Sequence, residues 1–178
     1  MSSLDRVPRL ALRLAAAGGL FLGLTACFTP LYGPTASGAP MREVLAAVEV
    51  DPISTALDHE YMGHVLRNEL AFELDGSGRP APKRFRLAIT LSQSVSTPVI
   101  DSATGRADSA SLVGNASFTL KAADGRVLTT GTATGSATYD RSAQRFADVR
   151  ASRNAEERLG KLLADQIRTR IAAVLSAS

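Results

Sequence analysis

Apolar residues recur at two different spacings in this chain, and each spacing predicts its own kind of element. From residues 43 to 53 they occupy every second position, which predicts a strand. From residues 56 to 74 they recur every three or four positions, which predicts an amphipathic helix with Ser54 or Thr55 at its N-cap. The run at residues 75–82 contains Gly and Pro and ends the helix. The apolar stripe of this helix consists of Leu57, Tyr61, Val65, Leu66, Leu70 and Leu74.

Strict alternation returns in the middle of the chain and predicts three strands in a meander. The first begins at Arg84 and continues toward Ile100, and the second covers roughly residues 109–122. The Asp124-Gly125 pair then predicts a tight hairpin turn, because both residues tolerate the positive φ of such turns. Residues 127–139 alternate Thr with Gly and Ala, which predicts the third strand of the meander.

A second helix is predicted at the end of the chain, from about Asn154 to Leu175, with a start near Gln144 left open. Asn154 and Glu157 resemble a capping box. The predicted order is β-α-β-β-β-α, an α+β sandwich in which two helices pack on one face of a four-stranded mixed sheet. The other sheet face is rich in Thr and Ser, so it either stays uncovered or meets a hydrated partner.

The first 26 residues have the layout of a secretory signal peptide. Three arginines precede an apolar run over residues 14–26, which is shorter than the roughly 20 residues of a membrane-spanning helix. The run ends in Leu24-Thr25-Ala26-Cys27, which resembles a bacterial lipobox, and this resemblance implies that Cys27 is lipidated. The alternative is an ordinary cleaved signal followed by an incidental cysteine.

Removal of residues 1–26 changes the composition of the working protein. The remaining chain carries 17 basic and 16 acidic residues, so it lacks the basic excess of a nucleic-acid-binding protein. Cys27 is the sole cysteine, which excludes an intramolecular disulfide. Residues 27–42 contain several Pro and Gly and are predicted to form the lipidated N-terminus and a flexible tether. Residues 43–178 are long enough for a single periplasmic α/β domain.

Residue patterns for catalysis, metal binding or cofactor binding are not found in the sequence. The two histidines, His59 and His64, are five residues apart on the predicted helix and point about 140° apart, so they are not expected to share a metal. Cys27 is committed to the anchor, and the serines lie outside the Gly-x-Ser-x-Gly pattern of a nucleophile elbow. We therefore expect a protein that is not an enzyme and holds neither a metal nor a cofactor.

Basic residues at strand ends and turns are the candidate binding residues. Arg and Lys held on a rigid sheet edge suit the phosphate groups of phosphorylated lipids, because charge-assisted hydrogen bonds to phosphate are strong. The alternative is that they are ordinary solubilising charges. Lys83, Arg84 and Arg86 lead into the second strand, Arg106 lies at the tip of the hairpin after it, and Lys121 and Arg126 flank the next hairpin. The two ends of the second strand therefore define two clusters of candidates.

The segment Cys27-Phe-Thr-Pro-Leu-Tyr-Gly33 resembles the mature start of the lipopolysaccharide-assembly lipoproteins, the LptE family. Residues 164–171 are similar to the last helix of that family, and the predicted element order agrees with it. The resemblance implies a lipoprotein on the periplasmic face of the outer membrane that plugs and helps assemble a β-barrel translocon. It also implies that lipopolysaccharide is bound during its delivery to the cell surface. Phe28 after the cysteine agrees with sorting to the outer membrane.

Two other functions remain open at the level of the sequence. An auxiliary lipoprotein of an ABC-type lipid or solute transporter also combines an anchor with a small α/β domain. A periplasmic hydrolase is a third interpretation, although it lacks a serine with a suitably placed base. The co-purified partner separates the first two, and an esterase assay tests the third.

Overall fold

The computed structural model describes residues 33, 35–36, 38–56, 59–76, 81–97 and 109–177. The chain divides after Gly33, and the sheet and helices belong to the second unit, Pro34–Ser178. The predicted signal peptide, Cys27, Leu57 and Arg106 lie outside the described residues.

Four strands form one mixed sheet in the order β1-β2-β3-β4, with β1 parallel to β2 and the other neighbours antiparallel. This confirms the predicted α+β class with a four-stranded mixed sheet. One short helix that was not predicted precedes the first strand. The bounds are α1 Met41–Ala46, β1 Val48–Val50, α2 Glu60–Asp75, β2 Phe85–Ser96, β3 Ser109–Ala122, β4 Val127–Asp140 and α3 Arg145–Ser176.

The core lies between the sheet and the helices, where the period-two pattern of the strands places their apolar residues. Leu87 of β2 is paired with Leu120 of β3, and Ile89 is paired with Phe118. All four side chains are buried. The hairpin at Asp124-Gly125 forms, and Gly125 has a φ of 86°. Asp124 does not have a positive φ, so the turn is not the primed type that was expected from both residues. Since a one-residue shift would turn the apolar residues toward solvent, this pattern sets the register of the sheet.

Helix α3 lies close against β4 because β4 alternates Gly and Ala on its inner face. A Cβ atom at Gly135 would lie 2.7 Å from Cδ2 of Leu162. A larger residue at this position would therefore push α3 away from the sheet.

The same helix covers the outer edge of β4 with side chains spaced four or eight residues apart. Arg158 Nη2 donates to Thr138 O at 2.7 Å, and Gln166 Nε2 donates to Thr134 O at 3.0 Å. Arg170 Nη1 donates to Thr132 O. These bonds satisfy backbone groups that an open edge would offer to another chain.

The predicted first strand is wrong for residues 43–46, which belong to α1. Met41, Val44 and Leu45 share one helical face and are buried. Helix α1 packs against α2 and α3. The spacing of Val44, Ala46 and Val48 fits a strand as well as a helix, and the packing decides in favour of the helix. The strand that remains, β1, has only three residues.

The two predicted helix caps are also wrong. Helix α2 begins at Glu60 with His59 as its N-cap, while Ser54 forms a parallel bridge to Thr90. Helix α3 begins at Arg145, so Asn154 lies inside the helix, where its Oδ1 accepts from Arg158 Nε at 3.1 Å. The Ser54 N–H donates to Ile89 O and the Ser54 O accepts from the Leu91 N–H, a contact with β2 that a local pattern does not reveal. At Asn154 the helix continues past the expected cap, because it starts next to Gln144, the second start that the sequence left open.

Candidate functional site

The sheet face opposite the helices carries an array of hydroxyl groups, which we call the hydroxyl face. Its positions form five cross-strand rows of three, with one residue from each of β2, β3 and β4. Twelve of the fifteen positions are Ser or Thr. The rows are Ala88-Thr119-Thr130, Thr90-Ser117-Thr132, Ser92-Asn115-Thr134, Ser94-Val113-Ser136 and Ser96-Ser111-Thr138.

A shallow groove of about 560 Å³ runs across the first two rows of the hydroxyl face, from the residues that follow β1 to β4. Thr90, Ser117 and Thr132 of one row line it, and Asp51 lies at its edge. Ser117 Oγ and Thr132 Oγ1 are 3.4 Å apart. The groove therefore presents side-chain oxygens that both donate and accept hydrogen bonds.

Three of the predicted basic residues form ion pairs in the structure. Lys83 Nζ donates to Ala46 O at 2.7 Å and lies 3.2 Å from Asp75 Oδ2. Arg86 Nε lies 3.6 Å from Glu49 Oε2 and 4.0 Å from Asp51 Oδ1, and Arg126 Nε lies 3.8 Å from Asp124 Oδ2. Lys83 thus joins the ends of α1 and α2, which gives it a structural role whether or not it also binds an anion.

The other two described candidates, Arg84 and Lys121, have no carboxylate within 4 Å in the part of the chain that the structure describes. Arg84 lies over the ring of Phe85, 5.6 Å from its centroid. Lys121 is paired with Arg86 across β2 and β3. The five described candidates thus come together at the end of the sheet where β2 begins. Arg106 lies outside the described residues.

A second basic surface was missed in the sequence, at the first turns of α3. Phe146 is 88% exposed and Val149 is 44% exposed, although both are apolar. Helical geometry places them within about 140° of arc together with three arginines. We call this set the basic–apolar surface: Arg145, Phe146, Val149, Arg150 and Arg153. The sequence does contain a pattern for this surface, which is the helical spacing of Arg and apolar residues after Gln144. This pattern is recognised only if the helix is taken to begin near Gln144.

A polar cluster joins α2, α3 and β2 beside the basic–apolar surface. Tyr61 Oη donates to Glu157 Oε1 at 3.1 Å, and Arg153 lies 5.4 Å from the centroid of the Tyr61 ring. Partial desolvation of the side chain, which stays 40% exposed, followed by the hydrogen bond to Glu157, raises the pKa of Tyr61. Burial also raises the pKa of Glu156, which accepts from Gln93 Nε2 at 3.3 Å. These contacts hold the elements together and orient Arg153.

Among the helices that the structure describes, none combines the length and apolar character needed to cross a membrane. Within the same residues, no three His, Cys, Asp or Glu side chains converge on one point as metal ligands would.

Comparison with solved structures shows the fold. A Caulobacter crescentus CB15 protein described as a lipoprotein is 21% identical, with a TM-score of 0.60 over 76% of this chain and 95% of that chain. The rare lipoprotein B from Shewanella oneidensis is more distant, at 15% identity and a TM-score of 0.48 over 70% of this chain and 95% of that chain. The fold assignment rests on the first of the two.

A comparison with curated proteins gives no match. The family model described as LptE, lipopolysaccharide-assembly, matches residues 45–171, a range that runs from α1 nearly to the end of α3. The chain therefore belongs to the LptE family of lipopolysaccharide-assembly proteins.

Proposed function

We propose that this protein is an outer-membrane lipoprotein that plugs and helps assemble a β-barrel lipopolysaccharide translocon and assists lipopolysaccharide insertion at the cell surface. The single observation that carries the proposal is the family match over residues 45–171, which includes every strand of the sheet. The role is one of binding and assembly, without catalysis, metal or cofactor.

Anchoring on the periplasmic face is the first part of the proposal. Residues 1–26 act as the signal peptide, Cys27 is lipidated, residues 27–42 connect the lipid to the domain, and residues 43–178 form the periplasmic domain. Thr35 is buried, and the Ala36 N–H donates to Ser176 O at 3.1 Å at the end of α3.

Lipopolysaccharide contact at the basic–apolar surface is the second part. Lipopolysaccharide is an anionic amphiphile, so its recognition requires cations for phosphate and apolar surface for acyl chains. Arg150 and Arg145 supply guanidinium groups beside the exposed Phe146 and Val149. Arg forms stronger, planar hydrogen bonds to phosphate than Lys does. Arg106, Lys83, Arg84, Arg86, Lys121 and Arg126 remain proposed lipopolysaccharide contacts.

Residence in a barrel lumen is the third part, and the hydroxyl face supports it. Large transmembrane barrels have polar interiors filled with water. A sheet face of Ser and Thr stays hydrated in such a lumen, whereas an apolar face would require a tightly packed cover.

The experiment is purification of the native lipoprotein from membranes solubilised in mild detergent. We expect a large outer-membrane β-barrel to co-purify with it. Recovery of inner-membrane ATPase and permease subunits instead would reject the barrel and favour the ABC-transporter alternative.

Lipopolysaccharide binding is tested separately on the purified full chain. Arg150→Glu should weaken capture of lipopolysaccharide, because it reverses one charge beside Phe146. Arg67→Glu makes the same change on the exposed face of α2 and should have little effect. Equal capture by the wild type and by Arg150→Glu would remove the basic–apolar surface from the proposal.

A further inference from the structure

The hydroxyl face is free of charged side chains at all fifteen of its positions, although 21% of the chain is charged. Charges appear in the adjoining rows, with Arg86 paired with Lys121 at one end and Asp140 paired with Ser109 at the other. Short hydroxyl side chains lose less rotamer entropy on binding than Lys, Arg or Glu. The face is therefore suited to contact with an uncharged, hydrogen-bonding partner.

The size of the face indicates what kind of partner fits. Three strands and five rows measure roughly 14 Å by 33 Å, or about 460 Å². A stable protein–protein interface buries about 800 Å² on each partner, so this face is too small to hold a protein by itself. The groove of about 560 Å³ lies within the range of small-ligand sites, about 300–1,000 Å³.

The chemistry of the groove matches a saccharide. Each Ser or Thr hydroxyl donates one hydrogen bond and accepts others, as sugar hydroxyls do. At the groove's edge, Asp51 adds a carboxylate acceptor, and Arg86, 4.0 Å from it, adds a guanidinium donor. The Thr methyl groups supply small apolar patches for the C–H faces of a sugar ring.

We propose that the hydroxyl face binds a neutral saccharide chain, with the groove at Thr90, Ser117 and Thr132 as its main contact. In the cell, this chain is the uncharged portion of the lipopolysaccharide saccharide, an assignment that rests on the proposed function. The face binds each sugar weakly, since its fifteen positions offer only uncharged contacts that are open to water. Weak contacts along five rows let a chain move over the face without being trapped.

The test is NMR titration of the lipidated full chain, labelled at Thr methyl groups, in lauryldimethylamine oxide micelles. This detergent carries no sugar headgroup. Maltohexaose and dephosphorylated core oligosaccharide are the two probes. We expect shifts at Thr90, Thr119 and Thr132 with a dissociation constant on the order of millimolar. Thr129, whose side chain is on the inner sheet face, and Thr169 on α3 are internal controls and should not shift.

A variant tests the hydroxyl groups themselves. Replacement of Thr119, Thr130 and Thr132 by Val removes three hydroxyls while it keeps shape and strand propensity. We expect maltohexaose binding to weaken about tenfold or more, since one hydrogen bond contributes about 0.5–1.5 kcal/mol. Thr169→Val is the matched control and should bind normally.

Three results would overturn the proposal: no shift with either probe, equal shifts at Thr129 and Thr132, or unchanged affinity in the triple variant. If the triple variant does not fold, the wild-type shift pattern decides alone. Barrel co-purification is measured separately, on the native lipoprotein from solubilised membranes. Loss of the barrel from the wild type would reject the proposed function, whereas the saccharide titration is read without the barrel.

Discussion

Gly160 of α3 lies where this helix packs against α2, and we expect Gly160→Ala to destabilise the domain. Ala normally stabilises a helix interior by about 1 kcal/mol over Gly. At this position, however, the new Cβ would lie 2.7 Å from Cγ1 of Val65. Val65 is β-branched and cannot easily rotate its Cγ1 away, so the two helices must separate, at a cost of about 2 to 3 kcal/mol. The net loss in the free energy of unfolding is about 1 to 2 kcal/mol.

The assay is urea unfolding of the mature chain followed by circular dichroism, with wild type and variants at one protein concentration. Gly63→Ala is the matched control, since Gly63 is also a buried helical glycine but its Cβ would lie 3.3 Å from Cγ2 of Thr55. It receives the same gain in helix propensity with a smaller clash, so we expect unchanged or slightly higher stability.

A double variant tests whether the contact with Val65 is the cause. Val65→Ala should recover much of the stability lost in Gly160→Ala, because it removes the methyl group that meets the new Cβ. Wild-type stability or better for Gly160→Ala alone would refute the reasoning. Failure of Val65→Ala to compensate would show that the lost stability arises elsewhere.

Three further outcomes follow from the structure. Cys27→Ala should leave the circular dichroism spectrum unchanged but release the chain into the wash fraction of membranes, and retention after high-salt washing would argue against the anchor. Arg170→Ala should lower the free energy of unfolding by about 1 kcal/mol in urea titrations and increase aggregation by exposing the Thr132 carbonyl on the β4 edge, whereas Arg170→Lys should do less. Burial raises the pKa of Glu156 above its ordinary value of 4.5. The stability that the protonated Glu156 contributes is therefore full below pH 4.5 and is lost as the pH rises through the pKa of the folded state. Glu156→Gln should therefore flatten the decline in melting temperature above pH 4.5, and an unchanged pH profile would exclude Glu156 as its cause.

The candidate site could be predicted only in part. Five of the six predicted cations lie in the described residues, and the structure gathers them at one end of the sheet because β2 begins where β3 ends. The ion pairs of Lys83 and Arg86 were not predictable, since Asp75 and Asp51 come from other elements. The basic–apolar surface was missed because its residues precede Asn154, where the firm part of the predicted helix begins, and lie in the extension toward Gln144 that was left open.

Period-two alternation determined the middle of the fold from the sequence alone. In β2 and β3 a polar residue follows nearly every apolar one, so only one register buries Leu87, Ile89 and Phe118 together. The Asp124-Gly125 turn is equally local, because its geometry depends on the φ of Gly125. The class of the fold and the composition of the hydroxyl face follow from these local rules.

Only the tertiary structure decided the features that depend on a neighbour distant in sequence. Residues 43–46 are helical because Met41, Val44 and Leu45 find a buried site beside α2 and α3. Ser54 bonds to β2 instead of capping a helix. Tyr61 lies exposed beside Arg153 although its spacing places it on the apolar stripe. Local spacing sets which residues share a face, but packing between elements sets which face is covered and which remains free to bind.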